Sequence, residues 1–164
     1  MDEKFAALEK YNFWDGNIPA LGYLRKHYTD EIADYIGNKL VKVLVGQRRS
    51  GKSYILQQIA HRLIEQGVEP RNILCINKEF IEFDFLGDYK DLEALLQLHR
   101  ERFKPEGKIR LFIDKIQNIA GWELIIELRF PEIFDAIRAG LFRTGKFSLK
   151  TPPFRRTFSL FIPK

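Results

Sequence analysis

The chain has one cysteine, no long apolar run and, in its last stretch, no acid at all. The lone Cys75 excludes an intrachain disulfide framework. No run of about 18 apolar residues occurs, so neither a transmembrane helix nor a membrane partner is expected. The start, Met1-Asp2-Glu3-Lys4, is acidic and lacks the apolar segment of a secretory signal. Together these absences predict a cytoplasmic protein. His27, His61 and His99 lack metal-ligand spacing and read as surface or core residues. Internal repeats are missing too. What remains, 164 residues that are 45% hydrophobic, is enough for one sizeable core.

Charge is unevenly placed. All 22 acidic residues lie at or before Asp135, leaving residues 1–135 at −2 and the rest at +7. The basic excess comes from Arg138, Arg143, Lys146, Lys150, Arg155, Arg156 and Lys164. Such asymmetry suggests contact with nucleic acid or an acidic partner. It equally suits a tail that does not share the design of the rest.

Hydrophobic spacing gives an alternating pattern of elements. Tyr11–Gly22 is irregular, and Thr29 is a plausible N-cap for a short helix through Ile36, ended by Gly37-Asn38. Val41–Val45 is β-branched and short, a strand. Ile55, Leu56, Ile59, Ala60, Leu63 and Ile64 form one face of a helix that Gly67 stops. A second strand spans Ile73–Ile76, a second helix Asp91–Phe103, and a third strand Ile109–Ile113 ends at Asp114. Strand–helix alternation implies a parallel sheet covered on its faces. Leu124–Arg138 suits a helix broken by Pro131, and Arg156–Ile162 suits one more short strand.

Between the first strand and its helix lies Gly46-Gln47-Arg48-Arg49-Ser50-Gly51-Lys52-Ser53, a full match to G-x-x-x-x-G-K-[ST]. Gly46 and Gly51 permit conformations and close approaches that a Cβ would block. Backbone N–H groups and the positive end of the following helix can then face phosphate oxygens. Lys52 brings a compact charge to the β and γ phosphates, and the Ser53 hydroxyl suits Mg²⁺, which wants hard oxygen ligands. The loop predicts a nucleoside-triphosphate site, with ATP and Mg²⁺ as expected ligands. Its binding residues are Gly46, Gln47, Arg48, Arg49, Ser50, Gly51, Lys52, Ser53 and Tyr54. Arg48 and Arg49 either add phosphate attraction or are simply solvated, the reading favoured here.

Asp114, closing an apolar strand, is the expected second element, holding Mg²⁺ through its water shell. Lys52 and Asp114 are thus the candidate catalytic residues, with Ser53 and Asp114 as metal ligands. Many ATPases of this design follow the aspartate with a glutamate that polarises the attacking water. Here that position is Lys115, a cation that cannot accept a proton, and losing a general base costs about 10²–10⁴ in rate. Alternatively Lys115 points to solvent and Glu79 or Glu82 serves as base.

With these residues in place, the segment from about 11 to 123 resembles the bacterial and archaeal AAA-superfamily ATPases whose second half is a domain of uncharacterised function. The resemblance rests on Tyr11-Asn12-Phe13-Trp14, on Val45–Ser53, on Asn72–Glu79 and on Asp114-Lys115-Ile116-Gln117-Asn118 leading to Gly121-Trp122-Glu123. It implies ATP binding with Mg²⁺ and, in the family, hydrolysis. The implied fold is α/β, a P-loop NTPase three-layer sandwich with a mostly parallel central sheet, incomplete at the C-terminus. The implied organisation is a lead-in over 1–37, an ATPase core over 38–123 and a divergent basic tail over 124–164. Phe13 and Trp14 are expected either beside the adenine or in the core.

Three departures stand out. Lys115 replaces the family's glutamate, no T-G-S-N sensor strand follows, and the family's separate C-terminal domain is missing. Phe142-Arg143-Thr144-Gly145-Lys146 comes nearest to the sensor but lacks Ser-Asn. A truncated or out-of-frame ending is therefore expected. In the family the sensor strand lies between the first and the acidic strand, and unmade buried hydrogen bonds cost about 1–3 kcal/mol each. Against a total stability of about 5–15 kcal/mol, the expectation is marginal stability rather than a gap filled by Arg156–Ile162. The functional expectation is an ATP-binding domain with impaired hydrolysis. A nucleic-acid-binding module using the basic tail is the alternative, and a small-molecule kinase a third that the D-x-I-Q-N string disfavours.

Overall fold

Short apolar and β-branched runs form the strands, and the computed structural model describes residues 2–16, 18–33, 42–47, 49–129 and 157–163. Strand β1 (Lys42–Gly46) runs into the glycine-rich loop, and helix α3 (Lys52–Glu65) runs out of it. Strand β2 (Ile73–Asn77), helix α4 (Tyr89–Phe103) and strand β3 (Arg110–Asp114) follow, close to the sequence expectation. Helix α4 starts two residues early because Asp88 caps it, accepting the Lys90 and Asp91 N–H groups at 2.8 and 3.1 Å. The Asp91 carboxylate returns the favour by accepting the Asp88 N–H at 3.2 Å, a capping box.

The sheet order is β1-β4-β3-β2, where β4 is Thr157–Pro163. Strands β2 and β3 pair in parallel, from Ile73 with Arg110 to Asn77 with Asp114. Strand β4 runs antiparallel to both neighbours, so three of the four strands point the same way. The expectation of an unfilled gap is therefore corrected: β4 occupies the slot, with Leu160 in register with Val43 on one side and Ile113 on the other. Its direction is reversed from the parallel strand that the family resemblance implies.

Alternation along β2 and β3 sends side chains into two cores. Leu74, Ile76, Leu111 and Ile113 pack with residues of α4 and of helix α1 (Asp2–Tyr11). Ile73, Cys75 and Phe112 face Ile55, Ile59 and Leu63 of α3. Helices thus cover both faces, giving three layers, and each fully buried Leu or Ile contributes about 1.5–3 kcal/mol. Burial also drives the Cys75 thiol up to about 12, so it stays protonated and inert.

Several N-terminal expectations change. Helix α1 was not foreseen, and it buries Phe5 and Leu8. Phe13 and Trp14 are core residues and not adenine contacts, both almost fully buried. The Trp14 indole donates to the Ile73 carbonyl at 2.9 Å. The Asn12 side chain completes Cys75 of the edge strand β2, accepting its N–H and donating to its carbonyl at 3.0 Å. Helix α2 spans Lys26–Ala33, so Thr29 is no cap; its hydroxyl donates back to the Lys26 carbonyl at 3.1 Å. The foreseen end at Gly37-Asn38 lies outside the described residues, as do Pro131 and Phe142–Lys146. Helix α5 (Trp122–Arg129) follows Gly121. Among the described residues no helix is long and apolar enough to cross a membrane.

Candidate functional site

The site forms where β1, β2 and β3 end together. Gly51 closes the loop in a left-handed conformation, φ 87°, that disfavours any side chain. Within the loop the Ser50 N–H reaches the Gln47 carbonyl at 3.3 Å. The Lys52 ammonium, nearly buried, donates to that same carbonyl at 2.7 Å and to Ser50 Oγ at 3.2 Å. The loop's own oxygens thus hold the charge inside the loop. Burial, and then the nearby Lys115, lower the Lys52 pKa, while Asp114 and Glu79 oppose the shift.

On the acidic side, the Asn77–Asp114 register sets the ends of β2 and β3 side by side, and the Lys78 N–H donates to the Asp114 carbonyl at 3.1 Å. Asp114 is buried. Lys115 then takes a left-handed conformation, φ 61° and ψ 38°, uncommon for a residue with a long side chain. It does not point to solvent: its side chain is 7% exposed, and its ammonium lies 3.1 Å from Glu79 Oε1. Glu82, the other candidate base, accepts from Lys10 at 3.2 Å and from the Tyr11 hydroxyl at 3.1 Å. Both carboxylates are thus engaged by donors.

A cavity of about 400 Å³ is lined by Arg49, Gly51, Lys52, Ser53, Tyr54, Glu79 and Lys115. Ser53 also lines a neighbouring space of about 30 Å³ together with Asp114, and so connects the loop to the acidic strand. The expected Gly46 ends β1, Gln47 and Ser50 hold Lys52, and Arg48 lies outside the described residues. Arg49 is exposed at the cavity. No group of three or more His, Cys, Asp or Glu side chains placed to hold a metal exists among the described residues.

The sequence did not disclose Arg25, whose guanidinium lies against Gly51; a Cβ there would sit 2.6 Å from Nη2. The available hint was Gln58, a polar residue on the apolar face of α3, 4% exposed. Its amide donates to the Leu21 and Tyr23 carbonyls at 2.7 and 2.8 Å and accepts the Arg25 N–H at 3.1 Å.

Comparison with known proteins agrees with this geometry. An uncharacterized protein of Haemophilus influenzae is 34% identical over 102 residues, 62% of this chain and 25% of that protein. Chaperone protein ClpB of Enterococcus faecalis is 31% identical over 142 residues, 73% of this chain and 15% of that protein. The chain therefore spans a quarter or less of the length of these curated relatives. No solved structure matches it. The family model described as an AAA domain matches residues 38–137, which take in the phosphate loop, the buried aspartate and the sheet between them, and the chain belongs to this family of P-loop ATPase domains.

Proposed function

We propose that the chain binds ATP through the Gly46–Ser53 loop and turns it over very slowly. One observation carries this reading: the loop lysine and serine share a cavity with an ion pair, Lys115–Glu79, where a water-activating glutamate is expected. An ammonium at the position of the expected base cannot take a proton from water, and a missing base lowers the rate by about 10²–10⁴. Ser53 and Asp114 line one small space and offer hard oxygen donors, so they fit Mg²⁺, the serine directly and the aspartate through water. When bound, the ion would neutralise charge on the β and γ phosphates. The protein's own groups do the rest: Lys52 leaves the Gln47 carbonyl for a phosphate oxygen, and the loop N–H groups orient the triphosphate.

The test is titration of a fluorescent ATP analogue into the protein and into Lys52→Ala, with phosphate release measured alongside. Binding that disappears in the variant, with negligible turnover, supports the proposal. Absence of binding by the unaltered folded protein refutes it, and rapid turnover refutes its second half. Lys115→Glu should restore little, because β4 runs against the direction of the family's sensor strand. DNA affinity indifferent to Lys52→Ala would favour the alternative, a nucleic-acid-binding module using the basic tail.

A further inference from the structure

Resting on the nucleotide-site reading, we infer that Arg25 is a phosphate-contacting residue, delivered to the loop by a backbone strap over residues 21–25. The strap is fixed rather than draped. Three hydrogen bonds from the buried Gln58 side chain hold the backbone of Leu21, Tyr23 and Arg25 against α3. Two glycines let it lie close. A Cβ on Gly22 would fall 2.7 Å from Tyr54 Cδ1, and one on Gly51 would fall 2.6 Å from Arg25 Nη2. The guanidinium therefore fills the clearance left by a glycine of the phosphate loop, next to the residue whose ammonium awaits the phosphates.

The guanidinium has no hydrogen bond or ion pair with any described residue. Of the two acids on α2, Asp30 and Glu31, the first is taken by Arg62 at 2.6 Å. A half-buried arginine with five donors, set against neutral backbone, gains little until an anion arrives. A triphosphate supplies that anion in the forked geometry that guanidinium groups favour over ammonium groups. The strap thereby becomes part of the site.

The experiment compares Arg25→Met and Arg25→Lys with the parent, measuring Kd for fluorescent ATP and the thermal midpoint of each protein without nucleotide. Arg25→Met should weaken binding about tenfold and Arg25→Lys less, with nucleotide-free midpoints unchanged. Binding by Arg25→Met as tight as the parent's, or tighter, overturns the inference, as does weakening matched by a fall in the nucleotide-free midpoint. If the parent itself fails to bind ATP, the nucleotide reading falls and takes this inference with it. Parent binding with an indifferent Met variant sinks this inference alone.

Discussion

The Lys115 ammonium sits 3.1 Å from the Glu79 carboxylate, joining two residues 36 apart in sequence in the lining of the cavity beside the glycine-rich loop. The pair is lopsided, for the lysine side chain is 7% exposed and the glutamate 44%. An ion that water reaches tolerates the loss of its partner, whereas a nearly buried one does not.

That imbalance sets the order of two variants. Glu79→Ala strands the Lys115 charge in a space already holding Lys52, and should cost about 1–3 kcal/mol. Lys115→Met leaves a hydrated carboxylate and removes a cation–cation repulsion, so its cost should stay below about 1 kcal/mol. Urea denaturation of both proteins checks this, and the reverse order would contradict it.

Strand β4 gives a sharper test of the sheet. Leu160 lies in the interior of the sheet, matched to Val43 and Ile113, where every backbone N–H has a ladder to join. Leu160→Pro removes one such bond and leaves a carbonyl unmatched, about 1–3 kcal/mol even before the strand shifts. At roughly 2–4 °C per kcal/mol for a chain of this size, the thermal midpoint should fall by about 2–12 °C. An unchanged midpoint would mean that residues 157–163 do not close the sheet.

His99 makes stability depend on pH. It is fully buried, its ring centroid 5.4 Å from that of Trp14 and 5.2 Å from that of Phe103. Neither ring nitrogen has a hydrogen-bond partner among the described residues. Burial lowers its pKa to about 4, with the polar Arg71 backbone opposing the shift and the Arg100 charge adding to it. In the unfolded chain the value is about 6.5, so between pH 4 and 6.5 the unfolded state binds more protons. Stability from this group is therefore complete above about pH 6.5 and falls as the pH drops towards 4, by about 3 kcal/mol in all. His99→Phe should flatten that part of the stability profile in urea titrations at stepped pH. An equally steep profile in the variant would assign the slope to other groups.

What the sequence showed and hid follows from the range of the interactions. The loop between β1 and α3 was legible because glycines, lysine and serine act within eight consecutive residues. Strands β2 and β3 were legible because both faces are buried, leaving unbroken apolar runs. Helix α1 was not, since little besides Phe5 and Leu8 marks its buried side. A strand near Arg156–Ile162 was visible in composition, but its direction and neighbours depend on long-range pairing. Lys115 was recognisable as an anomaly, yet only tertiary contact shows that Glu79 neutralises it. Arg25 reaches Gly51 through Gln58, a connection no local pattern contains.

Ser53 allows the metal's share of binding to be separated from the loop's. It stands in the first turn of α3 and lines both the large cavity and the small space shared with Asp114. Ser53→Ala removes one hard oxygen without touching the Lys52 ammonium or the loop N–H groups. Affinity for fluorescent ATP in EDTA should therefore match the parent's, whereas the gain on adding Mg²⁺ should shrink about tenfold. Asp114→Asn, which weakens the acceptor proposed for the ion's water shell, should act in the same direction. If Ser53→Ala keeps the full response to Mg²⁺, the ion is held elsewhere. If it loses affinity equally in EDTA, the serine supports the loop rather than the metal.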